Sequence, residues 1–471
     1  MKWIVILVLA AAACGPDDKL TVEQLQDPNT CNDCHATHYT QWSGSMHAYA
    51  ADDPVFIAMN RRGQRETNGA LGKFCINCHA PMAVLNGTIT DENAKDFDPN
   101  QLSPAERGIT CYFCHNVEKV VSDHNNGLVL AMDTTMRGGA KNPVDSPAHH
   151  SKYDPLVRSD TNQSELCGSC HDIVLPNGVA IERTFKEWKE GVFSKPDSKL
   201  TCGNCHMKPS DGVIASKQGL SVISRPNGFH EHTFPGIDQA LTPWPEMEAQ
   251  AEGIREILEP SVAIVGPKPR TGTRSPGGIC VDPQDGGRIT VRLDSLNLGH
   301  SFPSGSAFDR RVWMEVTAYR MDNSIFFQSG KVPDLTDPEQ IGDTKLFGLW
   351  DKALKTDGTS AHFFWDVASI DPTSRLLTGS VTFDQNDPRF DHAQTAKYTN
   401  LGNTSEIVRI EAALKIRPLP YETLRDLVAS GDLDPAVIGQ LKTLEPASAR
   451  STWLRSTAGT GLAVGTNCNP E

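Results

Sequence analysis

The sequence contains few hydrophobic residues and no long hydrophobic run beyond its start. Of its 471 residues, 38% are hydrophobic and 7% aromatic, which is lean for this length and indicates that something other than side chains fills part of the interior. After residue 13, no stretch approaches the roughly 18 apolar residues of a membrane span. The formal net charge of -14 argues against nucleic acid as a partner. We expect two or three soluble or lipid-tethered domains.

The first 13 residues read as a signal peptide. Lys2 supplies the positive charge, residues 3–9 the apolar segment, and residues 10–13 the small-residue cleavage zone. Cys14 follows directly, as in a bacterial lipoprotein signal, and we predict that it is lipidated; an ordinary secretory signal cut after residue 13 is the alternative. We therefore expect an exported protein of the periplasm or outer membrane, bound to the membrane through a lipid at Cys14.

Ten of the thirteen cysteines fall in five Cys-x-x-Cys-His motifs. Random placement of the same residues would give roughly 0.01 such motifs, so the pattern is a strong signal for c-type haem attachment. The motifs comprise the cysteine pairs Cys31/Cys34, Cys75/Cys78, Cys111/Cys114, Cys167/Cys170 and Cys202/Cys205 with the histidines His35, His79, His115, His171 and His206.

The spacing of each motif has a chemical reason. On a helical turn, positions i, i+3 and i+4 share one face, so both thiols can reach the vinyl groups of one haem while the histidine ligates its iron. A thioredoxin-like redox pair and a zinc site also use Cys-x-x-Cys, but neither explains a histidine after every second cysteine. We predict five covalently attached haems c, each with its motif histidine as proximal ligand.

Two cysteines remain outside the signal and the motifs. Cys280 and Cys468 could form a disulfide in an oxidising compartment. It would tie the C-terminal tail to the start of the late domain, the second half of the chain from about residue 280. Two independent thiols are the alternative, because the sequence sets no distance between them.

The second axial position of each iron decides whether a haem only carries electrons or can also bind a substrate. Ten histidines lie outside the motifs, and five haems create a demand for up to five of them. They are His38, His47, His124, His149, His150, His230, His232, His300, His362 and His392.

Several of these histidines stand in recognisable sequences. Cys31-Asn32-Asp33-Cys34-His35 is followed by Tyr39, Trp42, Ser45 and His47; the other three segments are His149-His150-Ser151-Lys152-Tyr153, His232-Thr233-Phe234-Pro235-Gly236 and Gly299-His300-Ser301-Phe302-Pro303-Ser304-Gly305. Together they resemble the multihaem cytochromes c typified by the tetrahaem electron acceptor of hydroxylamine oxidoreductase, from about residue 31 to 236 and again in the C-terminal region.

This resemblance implies distal ligands. His47 would ligate a haem other than the one it follows, His232 would close the haem region, and His300 would return from the late domain. Of the pair His149 and His150 one should be a ligand, and His149 is favoured. The fifth haem has no clear partner: His124, His38 and His230 are candidates, and an open iron is the alternative.

The remaining pattern suggests the domain order. Loops rich in Pro, Gly, Asn and Asp between the motifs predict short helices joined by irregular segments, with the haems packed on one another. A helix is predicted from Thr242 to Leu258. Period-two patterns then predict strands, completing a small antiparallel β-sandwich, before C-terminal helices at 421–430 and 435–444. The predicted strands cover 289–293, 312–318, 325–327, 362–367, 376–383 and 407–416.

The expected fold class is therefore α+β: a mostly irregular multihaem cytochrome with short α-helices, followed by a β-sandwich-like domain. The late domain contains no motif for a nucleotide, a metal or a nucleophile, and His362 and His392 are interpreted as ordinary surface or structural residues. The expected divisions are a signal peptide (1–13), a linker (14–26), a pentahaem domain (27–238), a helical linker (239–284), the β-sandwich-like domain (285–420) and C-terminal helices and tail (421–471).

The expected function is electron transfer, because an iron held by two fixed ligands rearranges little as it changes oxidation state. The partners would be redox proteins, either other cytochromes or a membrane quinol-linked complex. One alternative is a haem enzyme that reduces or oxidises a small nitrogen or sulfur compound at an open haem, although the Cys-x-x-Cys-Lys attachment of pentahaem nitrite reductases is absent and octahaem hydroxylamine oxidoreductases need three more motifs. Another is an oligomer, as a subunit of an extracellular cytochrome filament.

Overall fold

The haem-motif half of the chain is built from short helices and small sheets. The computed structural model describes residues 19–144, 146–157, 161–216, 224–265, 278–384, 386–390 and 392–455. In this part of the chain, no helix is long and apolar enough to cross a membrane. The α-helices are Val22–Gln26, Pro28–Asn32, Ala36–Ser43, Met46–Tyr49, Pro54–Glu66, Ile76–His79, Pro81–Leu85, Cys111–His115, Thr161–Gly168, Thr184–Glu190, Cys202–His206, Met247–Leu258 and Tyr421–Ala429.

The predicted short helices are confirmed at three of the five motifs; in the first and fourth motifs a helix ends within the motif, at Asn32 and Gly168. The third and fifth motifs coincide with the helices Cys111–His115 and Cys202–His206, and the second with Ile76–His79. Thr110 caps the third-motif helix by accepting a hydrogen bond from the backbone N–H of Phe113, which supplies one of the partners that a helix start otherwise lacks. Each motif is therefore shaped locally, within about one helical turn.

The segments between the motifs are more regular than predicted. They contain three two-stranded sheets and a fourth follows the last motif; three of the four are antiparallel and one is parallel. These strands are three to seven residues long, too short for the alternation of apolar residues to stand out in the sequence. The pairs are Val117–Ser122 with Gly127–Leu130, Thr135–Gly138 with His150–Tyr153, Asp172–Val174 with Ala180–Arg183, and Pro209–Val213 with Ser224–His230.

The helix predicted from Thr242 begins later, at Met247. The Thr242 hydroxyl is not a helix cap; it forms a 2.6 Å hydrogen bond with the Tyr49 hydroxyl of the haem-motif region. Glu246, just before the helix, has a φ of 54°, which breaks the helical path. A tertiary contact at Thr242 thus takes the place of the predicted first turn.

The late part of the chain forms two larger antiparallel sheets around one hydrophobic core, and a separate two-stranded sheet of Ala353–Leu354 with Ser369–Ile370. The first sheet contains Val262–Ile264, Ile279–Asp282, Arg288–Ser295 and Ala393–Tyr398; the second contains Arg311–Tyr319, Ile325–Ser329, Gly348–Leu349, Arg409–Arg417 and Arg450–Leu454. Alternate residues such as Ile289 and Val291 from the first sheet, and Val312 and Met314 from the second, are fully buried in that core. The predicted alternation is confirmed in the strands that contain these residues.

Some predicted elements of the late region are wrong. Residues Phe364–Asp366 form a 3-10 helix where a strand was expected, and in 376–383 one isolated bridge forms, from Leu377 to Phe302. The first C-terminal helix is present as Tyr421–Ala429, whereas the second is the 3-10 helix Pro435–Gln440. The strands Val262–Ile264, Ile279–Asp282, Ala393–Tyr398 and Arg450–Leu454 were not predicted, because runs of three to six residues are too short to show a clear period-two pattern.

The two halves pack directly against each other. Val55 and Ala58 of the helix Pro54–Glu66 share a buried cluster with Leu424 and Leu427 of Tyr421–Ala429. This apolar contact lets the late region form part of the wall around the motifs.

Candidate metal centres

All five motifs line one continuous cavity. Its volume is about 2680 Å³, and every cysteine and histidine of the motifs contributes to its wall. A site for one small molecule occupies roughly 300–1,000 Å³, so this space suits several large groups. The ten motif cysteines are free thiols, as covalent attachment requires.

Four motif histidines are oriented by backbone carbonyls. Their Nδ1 atoms lie 2.6–3.0 Å from carbonyl oxygens. Because a carbonyl oxygen only accepts, the proton of each neutral ring must sit on Nδ1, and the Nε2 lone pair is left for a metal. The contacts are His35 with Ile214, His79 with Ala50, His115 with Arg137 and His206 with Pro235.

Four motif histidines face a second histidine across the cavity. The ring centroids are 6.2–6.4 Å apart in every pair. With metal–nitrogen bonds of about 2 Å, two rings on opposite sides of one ion would be separated by roughly 6 Å between centroids. The spacing fits one iron between each pair. The pairs are His35 with His149, His115 with His232, His171 with His47, and His206 with His300.

The second histidines come from remote parts of the chain. His47 follows the first motif but faces the fourth, at His171, and His300 reaches the fifth motif from the late region. The Nδ1 atoms of His149, His232 and His300 each lie 2.8–3.0 Å from a backbone carbonyl oxygen, which leaves Nε2 free as in the motif histidines.

Of the remaining candidates, His38 comes as near to a motif histidine: its ring centroid is 6.2 Å from that of His35, but the two rings meet edge-on at 62°. His150, His124 and His230 have other partners in the described part of the chain. His150 is exposed on its strand, and its carbonyl oxygen accepts from His149. His124 lies at a hairpin turn, 3.1 Å from the Asp123 carboxylate, and His230 Nδ1 lies 3.0 Å from the Met207 carbonyl oxygen. His38 stacks on Phe229 at 4.3 Å and meets His232 edge-on at 4.6 Å.

The second motif differs from the other four. The ring against His79 is Phe56, stacked at 4.1 Å with an interplanar angle of 5°. No histidine is among the groups that shift the pKa of His79, which burial lowers. In the described residues, His79 therefore has no imidazole opposite it.

Burial lowers the pKa of five of the paired histidines and so favours the neutral ring, which is the form that binds metals; they are His47, His115, His149, His206 and His232. Burial, followed by the charges of His171 and His206, lowers the pKa of His47 to about 3. Burial and then His300 lower the pKa of His206 to about 4. His171 is the exception: burial acts to lower its pKa, but the Glu182 carboxylate and neighbouring thiols outweigh burial and raise the pKa to about 9.

Contacts between motif thiols show which motifs are adjacent. The contacting pairs are Cys31 with Cys111, Cys78 with Cys170, and Cys167 with Cys202. Cys114 of the third motif also lies within electrostatic range of Cys167 and Cys170. The fourth motif is therefore next to the second, third and fifth, and the third is next to the first.

The wall of the cavity also suits the anionic groups of a haem. Arg137 Nε and Arg310 Nε are buried, and neither has a hydrogen-bond partner within the described structure. Both residues line the cavity, where haem propionates would satisfy them. The donor set, with thiols beside imidazoles and buried guanidinium groups, fits haem c. No group of three or more His, Cys, Asp or Glu in the described segments is arranged to hold a bare metal ion.

Sequence reasoning missed four residues of this site: Arg137, Arg310, Phe56 and Glu182. A signal for Glu182 was present, since Asn177-Gly178 after the fourth motif is a strong hairpin sequence that returns the chain to His171. The predicted signal peptide and Cys14 lie outside the described residues, as does Cys468. Cys280 lies in the strand Ile279–Asp282 and is disulfide-bonded.

Comparison with known proteins adds to this geometry. Residues 30–116 match the family model described as cytochrome c554 and c-prime. The fold is similar to that of a penta-heme cytochrome c552 from Thermochromatium tepidum, with a TM-score of 0.58, 18% sequence identity, and coverage of 93% of this chain and 99% of that one. No curated protein sequence matches. The family match, the shared fold and the motif geometry together support a multihaem c-type cytochrome.

Proposed function

We propose that this protein is an exported pentahaem cytochrome c that transfers electrons through five covalently bound haems. The observation that carries the proposal is the set of four facing imidazole pairs in one cavity, each including a motif histidine, with centroids 6.2–6.4 Å apart. Bound haem would supply one-electron chemistry at iron. The two imidazoles of a pair would hold that iron with little rearrangement.

The residues of the chain would have distinct roles. The ten motif cysteines would hold the haems by thioether bonds, and His35, His79, His115, His171 and His206 would be the proximal ligands. The distal ligands would be His149, His232, His47 and His300, in the pairs given above. Arg137 and Arg310 would bind propionates through their unpartnered Nε atoms.

A pyridine haemochrome assay on the purified mature protein tests the haem count. We expect five haems per chain and four in a Cys202→Ala/Cys205→Ala variant, because that change removes both thioether positions of one motif. A wild-type value of four or fewer contradicts the pentahaem proposal.

A second candidate function is chemistry at the haem of His79. It is favoured by one observation: in the described residues no imidazole lies opposite His79, whose ring face is covered by Phe56. A five-coordinate iron there could bind a small nitrogen or sulfur compound. Titration of the ferrous protein with carbon monoxide tests it: one equivalent bound per five haems supports the open site, and no binding rules it out.

The late region would shield the haems and supply His300. We infer that its two sheets form the layers of a β-sandwich, since they share one core. Redox partner proteins, either cytochromes or a membrane quinol-linked complex, would exchange electrons with the array.

The cellular location is also a proposal. We infer lipid attachment at Cys14 after removal of residues 1–13, location in the periplasm or at the outer membrane, and a disulfide between Cys280 and Cys468. Mass spectrometry of the mature protein tests the processing: the expected product begins at acylated Cys14 and yields a peptide linking Cys280 to Cys468. An unmodified Cys14, or Cys280 linked elsewhere, contradicts the corresponding inference.

A further inference from the structure

The histidine of the fourth motif, His171, has a different kind of partner at its Nδ1 atom from the other four motif histidines. Glu182 Oε1 lies 3.5 Å from His171 Nδ1, whereas the Nδ1 atoms of the other motif histidines face backbone carbonyl oxygens at 2.6–3.0 Å. A carbonyl is a neutral acceptor, but a carboxylate brings a full negative charge to the Nδ1 side of the imidazole. His171 is therefore the motif histidine with an ionic partner.

A short hairpin brings Glu182 to this position. The strand Asp172–Val174 starts directly after His171 and pairs with Ala180–Arg183, so that Ile173 lies opposite Glu182. Gly178 in the turn has a φ of 85°, which favours glycine. The carboxylate is thus carried on a paired strand, and its side chain is only 12% exposed.

The neighbouring guanidinium of Arg310 does not neutralise the negative charge that Glu182 places beside His171. Arg310 interacts electrostatically with Glu182, but both terminal nitrogens of its guanidinium bind Asp238, at 2.6 and 2.8 Å. Asp238 therefore competes with Glu182 for the charge of Arg310. In consequence, Glu182 acts on His171 as a largely uncompensated anion.

The fourth motif is also the junction of the array. Its cysteines contact those of the second and fifth motifs and lie near Cys114 of the third. Its two imidazoles are also the most crossed, at 55°, compared with 17–23° in the other three pairs. An electron that moves from the haem of the first or third motif to the haem of the second or fifth motif would pass through the haem of the fourth.

A carboxylate behind a ligating imidazole makes the ligand more basic and places negative charge near the metal. Both effects favour ferric over ferrous iron, because the oxidised centre carries one more positive charge. We propose, on the basis of the pentahaem function above, that Glu182 is a positioning residue that orients His171 and lowers the reduction potential of the junction haem. With haem bound, this position would stay oxidised while its neighbours are reduced, so that electrons from a donor protein would pass outward to those neighbours.

The test is a spectroelectrochemical titration of the intact five-haem protein with Glu182→Gln. Glutamine keeps the shape and an acceptor oxygen but removes the charge. We expect one of the five one-electron components to move upward by about tenfold in its equilibrium constant, or about 59 mV, while the other four stay in place. Electron paramagnetic resonance should show a changed signal for one low-spin haem.

Glu165→Gln is the matched control. Glu165 is exposed on the helix that leads into the same motif, so this variant removes the same charge without touching His171. The control should leave all five potentials unchanged. The proposal is refuted if Glu182→Gln moves no component, if it moves all five equally, or if Glu165→Gln produces the same shift.

Two outcomes separate this proposal from the pentahaem function. Five haems in the wild type with no shift in Glu182→Gln refutes the role of Glu182 alone, whereas fewer than five haems in the wild type refutes the function on which it rests. If Glu182→Gln itself loses haem, Glu182→Asp decides. Because aspartate keeps the charge, four potentials should remain at wild-type values and the fifth should stay the lowest; any other pattern overturns the proposal.

Discussion

Removing His232 provides a direct measure of the facing imidazole pairs. Its ring lies opposite His115, with centroids 6.2 Å apart and planes at 17°. With four pairs among five motifs, one haem in five is expected to be high-spin in the wild type, because iron with one imidazole has a weaker ligand field. His232→Ala removes one pair, so the high-spin fraction should double to two in five.

The assay is spin quantitation by electron paramagnetic resonance of the fully oxidised protein, after a haemochrome assay has confirmed five haems. Exogenous imidazole should enter the space left by the deleted ring and return the new high-spin haem to the low-spin state. Such rescue would show that the ligand, rather than the fold, was lost.

His38→Ala is the control. His38 is a histidine in contact with His232, at 4.6 Å, and it stacks on Phe229. It meets its own motif histidine, His35, edge-on at 62°, whereas the near-parallel partner of His35 is His149. Its removal should leave one haem in five high-spin. The reasoning fails if His232→Ala keeps the wild-type fraction, or if His38→Ala raises it as much.

Two further predictions concern stability. Burial, against the opposing charges of Arg311 and Arg310, raises the pKa of Asp309 from 3.8 to about 6. The folded state therefore holds this proton more tightly than the unfolded state, and the free energy of unfolding should fall by roughly 3 kcal/mol as pH rises from about 4 to about 6. Urea titrations across this pH range should show a smaller fall for Asp309→Asn. An equal pH dependence of stability in wild type and variant would contradict the assignment. Asp337, with 0% side-chain exposure, pairs with buried Arg417 at 3.2 Å, so Asp337→Ala should cost about 3–5 kcal/mol in the same assay. Glu339→Ala, at a partly exposed pair, should cost less than about 1 kcal/mol, and equal losses would show that burial does not decide the effect.

The elements that could be predicted from sequence are those whose causes are local. The motif helices follow from a spacing that is satisfied within one turn, and the strands Arg288–Ser295 and Arg311–Tyr319 follow from alternation over eight and nine residues. The start of the helix at Met247 was mispredicted because the Tyr49 hydroxyl, 193 positions away, binds Thr242. The short hairpins between motifs were missed because their pairing, rather than their composition, makes them regular.

The same division applies to the candidate haem sites. The sequence by itself determined where haem would attach, since both thiols and the proximal imidazole of each motif lie within five consecutive residues. Only the tertiary structure decided that His47 faces His171 rather than the motif it follows, that His149 rather than its neighbour faces His35, and that His79 has Phe56 beside it. The physical reason is distance along the chain: an axial pair joins side chains as far apart as His35 and His149, and their meeting depends on how every intervening segment packs.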